Sequence, residues 1–178
     1  MLLKKAATTL DLARMALKEG VKLSAMASSL ATSTTEDYAA ALKEKRVLTP
    51  VDHPDPAHCI ITGTGLTHLG SAAARDGMHK KLSGAVEELT DSLKMFKMGL
   101  EGGKPAKGQA GVQPEWFYKG DGSIFVVPGA PLSKPAFAQD GGEEPEVAGI
   151  YVIGPDGAPH RVGWALGNEF SDHVKIGR

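Results

Sequence analysis

The distribution of glycine and proline divides this chain into two parts of different character. Most of its 22 glycines and 11 prolines follow Gly99. These residues interrupt helices, and their recurrence between apolar runs is typical of short strands joined by turns. About the first hundred residues instead carry apolar side chains at helical spacing. The sequence therefore predicts an α+β fold, with helices on one side of a sheet that curls toward a barrel or sandwich.

Helical periodicity predicts four helices in the first part. The first has Thr8 or Thr9 as its cap and Gly20 as its stop, and the second opens with Thr35 and ends in basic residues. The third follows a glycine-rich run, and the fourth has apolar residues at i, i+3 and i+4 spacing. The predicted helices span residues 9–19, 35–46, 71–81 and 85–98.

Apolar runs between turn residues predict five strands. They span residues 59–62, 116–118, 124–127, 146–153 and 162–166. The proline-rich segment 50–56 separates the first two helices from the first strand, because its three prolines exclude a regular helix. We interpret this segment as a linker into a new layer of structure.

Composition excludes several classes of protein. No run of about 18 apolar residues is present, so a membrane span is not expected. Asp11 and Arg14 interrupt the stretch where a secretion signal would be apolar, which predicts a cytoplasmic protein. The single cysteine, Cys59, excludes an internal disulfide and a cysteine-based zinc cluster. A net charge of -1 gives no basic field for nucleic acid, which is not an expected partner.

Three carboxylates are the strongest candidates for chemistry. Glu144 and Glu146 are two residues apart at the start of a predicted strand, so both side chains project from the same face. A divalent cation with hard oxygen ligands such as Mg²⁺ would hold two such carboxylates together. Glu169, after the predicted strand 162–166, is a candidate third ligand. The alternative is that these acidic residues only face solvent, which is the commoner outcome for an isolated Glu-x-Glu pattern.

Several motifs together resemble the metal-binding core of the fumarylacetoacetate hydrolase superfamily. They include a Glu-x-Glu strand entrance, an apolar strand ending in Ile-Gly, an Asn-acid-aromatic-Ser segment and a lysine just after a strand. In this chain they are Glu144-Pro145-Glu146, Val152-Ile153-Gly154, Asn168-Glu169-Phe170-Ser171 and the FYKG run at 117–120. The resemblance covers roughly residues 57–173. The sequences of these motifs are most similar to the branch of the superfamily found in bacterial sugar-acid pathways, including arabinonate-pathway proteins.

The resemblance implies a metal-dependent enzyme acting on a 2-keto acid. Glu144, Glu146 and Glu169 would bind Mg²⁺ or Mn²⁺, with Asp172 in reserve because most of the superfamily has Asp at the position matched by Glu169. The metal would chelate the carboxylate and keto oxygens of the substrate and stabilise an enolate as a Lewis acid. Lys119 would bind the substrate carboxylate or the developing oxyanion.

The run at 65–74 departs from the hydrolytic members of the superfamily. Their water-activating His and Glu positions fall here on Ser71 and Ala74, which favours dehydration of a 2-keto-3-deoxy sugar acid over hydrolysis. His68 is then the candidate base, with His79 as a weaker one. Two alternatives remain open: a C–C hydrolase of the acylpyruvate or fumarylacetoacetate type, and a catalytically silent, truncated scaffold or dimerisation module.

The resemblance also implies a domain organisation. Residues 1–56 would be a partial N-terminal helical module with its linker, packed on a catalytic domain with a mixed β-roll at 57–178. The sequence stops five residues after His173, where members of the family continue through further strands, so we expect a core that is incomplete at its C-terminus. A homodimer is expected, and unpaired edge strands would favour association.

Overall fold

The computed structural model describes residues 1–65, 73, 91–113, 115–172 and 174 of the chain. Within these residues there are four helices and four strands, together with 3₁₀ turns at Pro56–His58 and Gly122–Ile124. In chain order the main elements are α1 (Thr9–Lys18), α2 (Leu23–Leu30), α3 (Tyr38–Lys43), β1 (Ile60–Thr64), α4 (Asp91–Gly102), β2 (Trp116–Asp121), β3 (Gly142–Ile153) and β4 (Pro159–Ser171).

Contacts between residues divide the chain into two compact units. The first unit combines Met1–Cys59 with Ile124–Arg178, and the second is Ile60–Ser123. The first unit therefore contains α1, α2, α3 and the β3–β4 pair, whereas β1, β2 and α4 belong to the second. The domain boundary predicted after residue 56 stays a prediction.

Helix α1 begins with a reciprocal cap. The Thr8 hydroxyl accepts a hydrogen bond from the Asp11 N–H at 3.0 Å, and the Thr8 N–H donates to the Asp11 carboxylate at 3.1 Å. This arrangement satisfies two N–H groups that a helix start leaves without intrahelical partners. Beyond the helix, Gly20 takes a positive φ of 64°, which glycine adopts without strain. The helix predicted at 9–19 is confirmed.

Two buried clusters of the first unit lie on two sides of α1. On one side, Leu12 and Ala16 pack with Met26 and Leu30 in a buried cluster. On another side, two residues of α1 are packed against a strand of the β3–β4 pair. They are Leu10 and Ala13, which form a second buried cluster with Val152. Helix α1 thus joins α2 to the sheet, because its apolar stripe is wide enough to serve both.

The β3–β4 pair is a long antiparallel hairpin. Its register runs from Gly142 opposite Ser171 to Ile153 opposite Pro159, and Val162 is an extra residue that forms a bulge in β4. Side chains alternate between two faces of the hairpin. The inner face carries Val152, Glu144, Glu146 and Glu169. The outer face carries the apolar side chains of Val147, Tyr151, Ile153, Trp164 and Leu166.

The second unit contains a shorter antiparallel pair. Strand β1 pairs with β2 from Ile60 opposite Asp121 to Thr64 opposite Trp116. The register shifts after Ile61, and Lys119 is the residue of β2 that has no counterpart in β1. Both predicted strands, at 59–62 and 116–118, are confirmed, although β1 begins one residue later than predicted and both strands extend further at their C-terminal ends.

The mixed α and β composition is confirmed, but the sheet is simpler than expected. The described strands form two separate two-stranded antiparallel sheets, and they do not close into a barrel. The β-roll therefore stays a prediction. The strands predicted at 146–153 and 162–166 are confirmed, and both are longer than the sequence indicated.

One predicted strand is wrong. Residues 125–127 have no regular structure, and a 3₁₀ turn occupies Gly122–Ile124. The carboxylate of Asp121 accepts hydrogen bonds from the N–H and hydroxyl of Ser123, at 2.9 and 2.6 Å. Such a turn ends β2 and redirects the backbone, so the apolar run that follows does not continue as a strand.

The helix predictions had mixed outcomes. Helix α3 is confirmed but is shorter than the predicted 35–46, with Asp37 as its cap. Helix α2 was not predicted, because its serine-rich sequence has no side-chain cap. The helix predicted at 71–81 lies outside the described residues, apart from residue 73. The described part of the helix predicted at 85–98 begins at Asp91 and continues beyond Gly99 to Gly102.

In the described part of the chain, no helix combines the length and the apolar character that crossing a bilayer requires.

Candidate metal centre

The β3–β4 register brings the three predicted ligands together. Glu144 lies directly opposite Glu169 in the ladder, and Glu146 is two residues further along β3. All three side chains therefore project from the inner face. One carboxylate oxygen from each residue lies within 4.8 Å of the others, with Glu146 exposed and the other two half-buried. In the chain, Glu169 follows Glu146 by 23 positions and Glu144 by 25. The hairpin brings the three residues together because its second strand runs back along the first.

Asn168 holds the backbone next to this cluster. Its side-chain oxygen accepts a hydrogen bond of 3.0 Å from the backbone N–H of Glu144. Asn168 lies opposite Pro145, which has no N–H to donate to the ladder. The Asn168 side chain therefore holds the Glu144 backbone in place next to Pro145, where the ladder lacks a hydrogen bond. The sequence motif included Asn168, but its positioning role became visible only from the register.

Asp172, the reserve ligand, has a different set of contacts. One of its carboxylate oxygens accepts a hydrogen bond from the Gln139 N–H at 2.9 Å, and the other accepts one from the Val174 N–H at 3.2 Å. These bonds tie two backbone segments together. Asp172 is not part of the three-carboxylate cluster found among the described residues.

The donor set of the cluster fits a hard divalent cation. Carboxylate oxygens are the protein ligands that Mg²⁺ and Mn²⁺ prefer. Oxygens at neighbouring positions on one octahedral Mg²⁺ are about 3 Å apart, and the limit of 4.8 Å within which the three carboxylate oxygens lie here includes that separation. Exposed acidic groups are also common in proteins without a bound ion, so the cluster is compatible with a metal site and does not by itself identify one.

The two candidate catalytic residues lie elsewhere in the chain. Lys119 belongs to the second unit, is half-buried, and has its Nζ 5.4 Å from the centre of the Phe117 ring. Both side chains lie over Gly63, where a methyl group would collide with them. His68 and His79 lie outside the described residues, as do Ser71 and Ala74. The proposed roles of Lys119 and His68 stay predictions.

A shallow cleft of about 220 Å³ lies at the open end of the hairpin. Its lining consists of Lys134, Pro135, Phe137, Ala138, Asp140, Phe170, Ser171 and Asp172. The Lys134 ammonium donates a hydrogen bond to the Ala138 carbonyl at 2.8 Å. The three clustered glutamates do not line this cleft, so it is a separate feature of the surface.

The closed end of the hairpin has its own polar contacts. The Asp156 carboxylate accepts a hydrogen bond from the Ala158 N–H at 3.1 Å and lies 3.2 Å from the His160 Nε2. The backbone N–H of Ala158, and next the His160 side chain, hold the pKa of Asp156 below its ordinary value. A side chain at Gly154, the residue after β3, would collide with the side chains of Asp156 and His160.

Comparison with known proteins gives no assignment for the chain. No family model, no curated protein and no solved structure matches it.

Proposed function

We propose that the chain binds Mg²⁺ or Mn²⁺ through Glu144, Glu146 and Glu169 and acts on a 2-keto acid. The observation that carries this proposal is the convergence of these three carboxylates on one face of the hairpin. Their sequence context resembles the fumarylacetoacetate hydrolase superfamily, whose members process 2-keto acids by C–O or C–C cleavage. The protein would then be a cytoplasmic enzyme with a small-molecule substrate.

Three carboxylate ligands leave coordination positions open on an octahedral ion. The carboxylate and keto oxygens of a 2-keto acid are suited to those positions, because Mg²⁺ binds substrate oxygens and water alongside protein carboxylates. A bound cation would supply Lewis-acid stabilisation of the negative charge that develops on the keto oxygen when a proton leaves C3.

The chain's own residues would position the substrate and move its proton. Glu144, held by Asn168 through the backbone, would keep the ligand set in register. Lys119 would bind the negative charge of the substrate, and His68 would remove a proton. We prefer dehydration of a 2-keto-3-deoxy sugar acid, because Ser71 and Ala74 occupy the positions of the water-activating pair of the hydrolases.

Calorimetric titration of the full chain with Mn²⁺ and with Mg²⁺, in the presence of oxalate, tests the metal site. Oxalate mimics the chelating end of a 2-keto acid. Wild-type protein should bind the cation, and Glu146→Gln should weaken binding by at least about 30-fold, because a lost charged ligand costs about 2 kcal/mol or more.

The matched control is Glu143→Gln, which removes a carboxylate from the same strand but from its other face. Its affinity should equal that of the wild type. Absence of binding by the wild type, or equal losses in the two variants, would refute the metal site. Assay of purified protein against 2-keto-3-deoxy acids and acylpyruvates, with and without Mn²⁺, then separates dehydration from C–C hydrolysis.

A further inference from the structure

The shallow cleft at the open end of the hairpin is a second candidate site for a ligand. Its volume is about 220 Å³. Pockets for drug-sized molecules measure about 300–1,000 Å³, so this cleft suits a smaller molecule. One wall is the segment 134–138, and the other is the end of β4. The clustered glutamates are not among the described residues that line the cleft, so its ligand is independent of the metal centre.

Hydrogen bonds hold both walls of the cleft in place. The Ala138 N–H donates to the Pro135 carbonyl at 3.0 Å, and the Lys134 ammonium donates to the Ala138 carbonyl at 2.8 Å. The first wall is therefore a closed turn. The Gln139 N–H donates to the Asp172 carboxylate at 2.9 Å, which ties this turn to the residue after β4. Because the chain itself holds both walls, a ligand has less structure to order when it binds.

Two phenyl rings supply most of the apolar surface of the cleft. The Phe137 side chain is 73% exposed. The Phe170 ring lies against Gly141, where a Cβ atom would be 2.9 Å from the Phe170 Cζ and 3.7 Å from the Lys134 Cδ. The Phe170 ring and the stem of Lys134 therefore meet over the same glycine. Rings of this kind favour contact with an apolar or aromatic group of a ligand.

The cleft also carries charges of both signs. Lys134 supplies an ammonium group, and its bond to Ala138 uses one of the three N–H groups. Asp140, the residue before Gly141, supplies a carboxylate. The Asp172 carboxylate has a different role, because both of its oxygens accept backbone hydrogen bonds. An ammonium and a carboxylate close together in one ligand are complementary to Asp140 and Lys134.

We propose that the cleft binds a free α-amino acid with an apolar side chain. The carboxylate of the ligand binds Lys134, its ammonium binds Asp140, and its side chain packs against Phe137 and Phe170. A ligand with a single charge is attracted by one of the two charged residues and repelled by the other, whereas an α-amino acid is complementary to both. The expected Kd is about 1 mM, because the ligand is small and exposed ion pairs contribute little.

Titration of the full chain with L-phenylalanine, followed by NMR in the presence of EDTA, tests the proposal. The backbone amide signals of Gln139 and Asp172 should shift in a saturable manner. Phenethylamine, which lacks the carboxylate, and 3-phenylpropionate, which lacks the ammonium, should each bind at least about 5-fold more weakly, since each loses one ion pair and keeps one repulsion. Glycine, which lacks the apolar side chain, should cause no saturable shift.

Substitutions locate the ligand in the cleft. Lys134→Met should weaken L-phenylalanine binding by about 5-fold, because it keeps an apolar stem and removes the charge. Lys18→Met is the matched control, since Lys18 ends α1 and is not among the described residues that line the cleft. Glu146→Gln should leave the affinity unchanged, which separates this site from the metal centre.

The proposal is overturned if L-phenylalanine causes no saturable shift, or if the two singly charged analogues bind as tightly as the amino acid. Equal losses in Lys134→Met and Lys18→Met also overturn it. Loss of binding in Glu146→Gln would place the ligand at the glutamates instead of the cleft.

Discussion

Leu10 of helix α1 lies in the same buried cluster as Val152 of strand β3, and the two residues are 7% and 8% exposed. They are 142 positions apart in the chain. With Ala13, they form a buried connection between the N-terminal helices and the hairpin that carries the candidate metal centre. The stability of the hairpin should therefore depend on α1.

Truncation of either residue should destabilise the first unit. Leu10→Ala should lower the free energy of unfolding by about 2 to 3 kcal/mol, and Val152→Ala by about 1.5 kcal/mol. Urea denaturation measures both. Because the two side chains belong to one buried cluster, the double variant should lose less than the two single losses combined, by about 0.5 kcal/mol or more.

Leu48→Ala serves as the control for this pair, since its side chain is exposed and should have little effect. Strict additivity of the Leu10 and Val152 losses would contradict energetic coupling within this cluster.

The Asp156 carboxylate should make the hairpin turn sensitive to acid. Its pKa is lowered in the folded protein, first by the Ala158 N–H and then by His160. A lowered folded-state pKa stabilises the fold above the ordinary value of 3.8, and this stabilisation is lost as the pH falls through the folded-state pKa. Asp156→Asn should therefore be less stable than the wild type at pH 6, and the difference should disappear near pH 2.

Urea titrations at a series of pH values measure this difference. The asparagine variant keeps the shape of the side chain and cannot ionise, so it isolates the contribution of the charge. If the difference between the two proteins were the same at pH 6 and pH 2, the carboxylate would not act through its ionised form.

Glu169 and Asp172 should have separable effects. Glu169→Gln should remove cation binding measured by calorimetry, because Glu169 is one of the three clustered carboxylates. Asp172→Asn should leave the cation affinity nearly unchanged, since both oxygens of Asp172 accept backbone hydrogen bonds. It should instead increase amide hydrogen exchange at Gln139 and Val174. The opposite pattern of affinities would exchange the roles of the two residues.

Much of the local structure could be predicted from the sequence. The apolar spacing and the Thr8 cap determine α1, and alternating apolar residues between turn residues determine β3 and β4. The run at 124–127 also has strand-like composition, but the turn at Asp121 and Ser123 excludes it from the sheet. Helix α2 was missed because packing of Met26 and Leu30 on α1 stabilises it, and no local signal reports that packing.

The sequence by itself determined which residue types occupy the strands, including two glutamates that share one face because side chains in a strand alternate with period two. Only the tertiary structure decided that Glu169 lies opposite Glu144, that Asn168 holds the Glu144 backbone, and that the outer face is left exposed. Register between two strands depends on pairing along their whole length, including the bulge at Val162. Local propensity does not contain that information, because it arises from contacts between residues distant in the chain.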